Sequence, residues 1–163
     1  MEHEVYVSRE VKNLGHRESA ALIKKAVALA LEAEGIDRPC LASVMLTDGE
    51  GIRRVNREFR GIDRETDVLS FPMNELCPGA FDASVCDLDP ESGAVLLGDM
   101  MISLPRCEAQ GLELGHGYRR ELSYLTVHSV LHLLGYDHTD EGEMKRQMRR
   151  REKAIMHDKQ GED

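Results

Sequence analysis

No run of apolar residues in this sequence approaches the roughly 20 that a membrane helix needs, which excludes a spanning helix. The amino terminus, M-E-H-E-V-Y-V, has neither a basic region nor an apolar stretch, so no secretory signal is expected and cytoplasmic residence follows as the default. Cysteine is sparse: Cys40, Cys77, Cys86 and Cys107 contain no C-x-x-C pair. A chain of 163 residues does not need disulfide staples, and a cytosolic setting keeps thiols reduced. Cys40 and Cys107 sit in apolar contexts and read as small buried residues. Cys77 and Cys86 flank the loop-like P-G-A-F-D-A-S-V, a spacing too weak to argue for a second metal site or a bridge. A basic excess is missing as well. The net charge of −9 argues against sequence-wide adhesion to nucleic acid, while leaving room for a local basic cleft. Repeats and low-complexity tracts are absent.

What is there is an ordinary globular balance, 41% apolar and 31% charged, in a length that fits one domain over residues 1–163. Glu4 to Ser8 reads as a short strand. From about Glu18 to Glu34 the set Leu22, Ile23, Ala26, Val27, Ala30 and Leu31 recurs at helical spacing, with Gly35 as terminator. Leu41 to Thr47 alternates Ala42, Val44 and Leu46 with Ser43 and Met45, the signature of a strand. A helix is predicted over Gly49 to Phe59, and strands over Thr66 to Met73 (ended by Pro72) and Val95 to Leu104. Asn74 to Ser92, rich in Pro, Gly, Asp and Ser, reads as a long loop. A short helix over Pro105 to Glu113 is broken by Gly115–His116–Gly117. A longer one over Tyr118 to Leu134 carries Leu122, Leu125, Leu131 and Leu134 and stops at Gly135. Asp140 and Glu143 resemble a capping pair for a last helix that buries Met144, Met148 and Ile155. The predicted class is α+β: a small mixed sheet of about four strands packed with about five helices.

The chemistry concentrates in H-S-V-L-H-L-L-G-Y-D-H, from His128 to His138. Residues four apart on a helix share a face, so His128 and His132 can aim two imidazoles at one point. Gly135 lets the chain leave the helix and return His138 to the same place. Three imidazoles leave a fourth tetrahedral position open, the pattern of a catalytic zinc, so one Zn2+ per chain is expected. His3, His16, His116 and His157 have no partner at ligand spacing and read as ordinary surface residues. H-E-x-x-H proteases carry a glutamate beside the first histidine; here that position is Ser129, which cannot act as a carboxylate base. Zinc lowers the pKa of its water toward about 7 without one. The missing glutamate therefore lowers a peptidase reading and raises a phosphodiester one, in which charge stabilisation matters more than protonating a leaving nitrogen.

Two basic clusters stand out against the acidic total: Arg53, Arg54, Arg57, Arg60 and Arg64, then Lys145, Arg146, Arg149, Arg150, Arg151 and Lys153. On charge patterning alone the second reads as a solvated helix face.

Three blocks occur in a fixed order: N-R-E-F-R-G-I-D with T-D-V-L-S-F-P (Asn56 to Pro72), G-D-M-M-I-S (Gly98 to Ser103), and the histidine block. Together they resemble the YbeY-type bacterial ribosomal RNA maturation factors, single-domain zinc-dependent endoribonucleases. The resemblance implies zinc ligation by His128, His132 and His138, and a catalytic Arg60 in the cleft, where a cation meets a phosphate. It implies a role for His128 as both ligand and catalytic residue. It also implies action in ribosomal RNA maturation and ribosome quality control, with ribosomal RNA, ribosomal particles and ribosomal proteins as partners and no membrane. The departures are Ser129, where the family normally has glycine and where an added side chain narrows the helix face near the metal, and an Asn74–Ser92 segment longer than the family's. A zinc metallopeptidase-like hydrolase and a non-catalytic ribosome-associated zinc module are the competing readings.

Overall fold

The computed structural model describes residues 2–137 and 142–160. In chain order the elements are β1 (Glu4–Arg9), α1 (Ser19–Ala33), β2 (Cys40–Thr47), α2 (Gly49–Arg60), β3 (Val68–Pro72), β4 (Val95–Ser103), α3 (Leu104–Glu113), α4 (Gly117–Leu133) and α5 (Glu143–Gln160). The predicted α+β class is the one observed. The sheet has the order β1-β2-β4-β3: β1, β2 and β4 run parallel, and β3 pairs antiparallel with β4. Pro72, which has no amide to donate to a ladder, sits at the end of an edge strand, where that loss is tolerated. No helix among the described residues is long and apolar enough to cross a membrane.

The main core lies on one face of the sheet, where Val44, Leu46, Leu97 and Ile102 meet Ile23, Ala26, Val27 and Leu31 of α1 and Leu122, Leu125 and Leu131 of α4. Burying each large side chain contributes about 1.5–3 kcal/mol. A smaller cluster on the other face, Ile52, Leu69 and Met101, seats α2 against β3 and β4. The leucine stripe predicted for α4 understates its burial: Ser123, Thr126, Val127, Ser129 and Val130 are buried too, so the helix is enclosed on most sides. Rigid enclosure suits a helix that must hold two histidines in fixed positions.

Gly98 is a point of close approach between β4 and β3. A side chain there would meet the Phe71 carbonyl at 2.3 Å, and its φ of 138° is one that other residues resist. The register of β2 on β4 also shifts beside it.

Several expectations need correction. Met144 is 36% exposed, because it faces outward on the first turn of α5, whereas Met148 and Ile155 are buried as expected. Asp140 of the anticipated capping pair lies outside the described residues; Glu143 instead pairs with Arg146 at 3.2 Å and Arg150 at 3.0 Å. The four cysteines are free thiols, and burial pushes those of Cys40 and Cys107 up to about 12. Three histidines read as plain surface residues have structural contacts: His3 accepts from the Cys40 amide at 3.0 Å, His16 stacks on Tyr118, and His116 meets the buried Glu121 at 2.9 Å.

Candidate active site

α4 puts His128 and His132 one turn apart on the face that looks toward β3, and their Nε2 atoms lie 3.2 Å from each other. What fixes the rings is on their other nitrogens. His128 Nδ1 donates to Glu152 Oε2 of α5 at 3.0 Å, and His132 Nδ1 donates to the Tyr136 backbone carbonyl at 3.0 Å. With both Nδ1 hydrogens so used, each Nε2 turns a lone pair toward the other. Two lone pairs held this close repel unless a cation lies between them. Two nitrogens on one tetrahedral zinc at about 2.0–2.1 Å stand about 3.3 Å apart, so the observed separation suits a shared ion. Among the described residues no group of three potential ligands is assembled. His138, the third histidine expected from the sequence, lies outside the described residues.

Glu152 was not predicted. It is 5% exposed. Burial alone would raise its carboxyl, but the hydrogen bond and charge of His128, with smaller help from Tyr124 and His132, outweigh that and hold it below the usual carboxylate range. A signal was present: Glu152 is four residues after Met148 and three before Ile155, on the one face of α5 that is buried.

The Tyr136 carbonyl is positioned by a clasp of three elements. The Tyr136 hydroxyl donates to Glu34 Oε1 at 2.5 Å, and Arg151 Nε donates to Glu34 Oε2 at 2.6 Å. The end of α1, the turn after α4 and α5 are thereby tied together. Burial and Glu34 push the Tyr136 phenol up to about 12, so it remains a donor at neutral pH.

The histidines open into a cleft of about 680 Å3 between α4, β3, the end of α2 and the loop after β3. Arg60, Asp67, Ser70, Leu76, His128 and His132 are among its walls, so Arg60 and the two histidines share one cleft. Arg60 is the last residue of α2; its Nη1 donates to Asn56 Oδ1 at 3.3 Å. Asn56 is buried, and its Nδ2 donates to the Arg64 carbonyl at 3.0 Å. This buried amide, unremarked in the sequence, aims the arginine.

Ser129 does not narrow the metal-facing side as expected. It is fully buried, and its hydroxyl lies 2.6 Å from that of Ser70 on β3. The helix periodicity accounts for this: one residue past His128 is about 100° around the axis, toward the sheet.

The long loop forms the remaining wall and is held by specific bonds. Asn74 Nδ2 donates to the Leu96 carbonyl at 2.7 Å and its Oδ1 accepts from the Asp87 amide at 3.1 Å. Gly135 serves this wall as well as the helix stop: a side chain there would meet the Leu76 carbonyl at 2.2 Å, at a φ of 104°.

Comparison with known proteins points the same way. Residues 5–160 match the family described as Endoribonuclease YbeY. The Endoribonuclease YbeY of Acetivibrio thermocellus is 43% identical over 135 residues, covering 83% of each chain. That of Clostridium acetobutylicum is 46% identical over 141 residues, covering 82% of this chain and 84% of its own. One from Clostridium botulinum is 40% identical over 159 residues, 93% of this chain and 95% of its own. The solution structure of TM1509 from Thermotoga maritima shares the fold with a TM-score of 0.60, at 24% identity, over 97% of this chain and 90% of that one.

Proposed function

From the premise that this chain belongs to the Endoribonuclease YbeY family, we propose that it is a zinc-dependent endoribonuclease acting in ribosomal RNA maturation and ribosome quality control. It works as one domain over residues 1–163, in the cytoplasm, on ribosomal RNA within ribosomal particles and alongside ribosomal proteins. The observation that carries this reading is the pair of Nε2 atoms 3.2 Å apart, with both Nδ1 donors engaged, in the same cleft as Arg60.

His128, His132 and His138 would hold the zinc. When bound, zinc acts as a Lewis acid that acidifies a water ligand and polarises a phosphoryl oxygen. The chain's own groups do the rest. Arg60 meets the non-bridging oxygens with a planar fork of donors, stabilising charge that grows at the phosphorus. Asn56 keeps that guanidinium at the cleft. Glu152 and the Tyr136 carbonyl keep each imidazole in the tautomer that offers Nε2. β3 and the loop around Leu76 wall the cleft.

The peptidase reading loses support here, since the residue beside His128, where H-E-x-x-H proteases carry their glutamate, is Ser129, buried against Ser70. Purified protein incubated with labelled RNA and with a denatured protein, each with and without a chelator, tests the assignment. Cleavage of RNA alone, lost on chelation, is expected. Cleavage of the protein, or RNA cleavage indifferent to chelator, contradicts it.

A further inference from the structure

The second basic cluster is not one solvated face. On α5, Arg146 and Arg150 pair with Glu143, and Arg151 is engaged by Glu34. Arg149 and Lys153, one turn apart on another face, have no ion pair among the described residues. They line a groove of about 670 Å3 between α4 and α5 together with His116, Arg120, Tyr124 and His157. The carboxylate in that groove, Glu152, is buried and accepts from His128 Nδ1, so its charge is already engaged. A smaller hollow of about 270 Å3 shares Tyr124, Arg149 and Glu152 with the groove and reaches His128. His128 also lines the catalytic cleft. The cationic groove and the cleft therefore flank the same histidine.

We infer that the α4–α5 groove is a secondary RNA site, holding the phosphodiester backbone of a strand whose reacting part occupies the catalytic cleft. This deepens the endoribonuclease reading and rests on it. In a chain of net charge −9, a cationic groove that borders the same histidine as the cleft supplies local attraction that the whole surface does not. Arg149 and Lys153 on successive turns offer donors to consecutive phosphates, contacts that add affinity without reading sequence. Tyr124 gives the groove an aromatic wall beside those cations, a pairing suited to single strands.

The test is salt-dependent binding of single-stranded RNA to the full chain, with a short oligonucleotide confined to the cleft and a longer one that extends beyond it. For the Arg149→Gln/Lys153→Gln double variant, losing two phosphate contacts should lower the slope of log affinity against log salt by about 1.4 for the longer RNA. Its affinity should fall roughly tenfold at low salt, on the scale of two exposed charge contacts. Arg150→Gln, on the same helix but turned away from the groove, should leave the slope in place. An unchanged slope in the double variant overturns the inference and leaves the groove to an acidic protein segment. An equal drop for Arg150→Gln overturns it too, since diffuse helix charge would then suffice. Circular dichroism checks that each variant is folded. The underlying reading is judged separately: wild-type protein that cleaves neither RNA refutes the endoribonuclease assignment, whereas cleavage with an unchanged slope refutes the groove alone.

Discussion

At the scale of single residues the site depends on which ring nitrogen of each histidine carries its hydrogen. Glu152 settles this for His128, at 3.0 Å from Nδ1. Glu152→Ala should weaken zinc binding about 10–100-fold, the usual cost of removing a partner behind a metal-ligating histidine. Glu152→Gln, which can still accept from Nδ1, should fall between. Competition with a chromophoric chelator reads this, and wild-type affinity in the alanine variant would show that the pair does not orient the ring. Ser129 makes the opposite case. Its hydroxyl pairs with Ser70 rather than facing the histidines, so Ser129→Ala should cost about 1 kcal/mol in urea denaturation, the worth of one hydrogen bond, while keeping most of the RNA cleavage. A several-hundredfold loss of cleavage with zinc retained would assign the hydroxyl a chemical part.

At the scale of elements, the cleft is the meeting of an enclosed helix, an edge strand and a pinned loop. Gly135 joins two of these, because only a residue without a side chain admits the Leu76 carbonyl. Gly135→Ala combines a disfavoured φ with a collision, and should destabilise the protein by about 2–5 kcal/mol. Limited proteolysis should then cut first within residues 74–92, whereas unchanged stability and protection would mean that the loop does not lean on this glycine. The elements themselves were legible in the sequence wherever apolar residues kept a period: α1, β2 and β4 lie within a residue or so of their predicted spans. The predicted strand over Thr66 to Met73 is shorter, Val68–Pro72, and at its start the Asp67 side chain takes the Val68 amide at 2.8 Å. Such side-chain capture leaves no periodic trace.

At the scale of the whole molecule, the pairing of His128 with His132 was readable because i, i+4 is a local pattern. Arg60 was marked only by the resemblance of its block, and it is the fold that puts it in the same cleft. The supports of the site were not readable. Glu152, Tyr136 with Glu34, and Asn74 act on partners distant in sequence, and only the packing of α1, α4 and α5 brings Glu34 to Tyr136 and Arg151. The two basic clusters also needed the fold, which sorts their members into paired and groove-lining cations. The proposed reaction is RNA cleavage in the cleft that Arg60 shares with His128 and His132, with the guanidinium stabilising the charge that grows at the phosphorus. Single-turnover cleavage of labelled RNA by Arg60→Ala, at saturating protein and with zinc content and circular dichroism as controls, tests it most directly. Losing a donor that stabilises transition-state charge costs about 10²–10³ in rate, so cleavage at least about a hundredfold slower is predicted, with zinc and fold retained and Arg60→Lys partly active. Cleavage by Arg60→Ala at the wild-type rate would contradict the account.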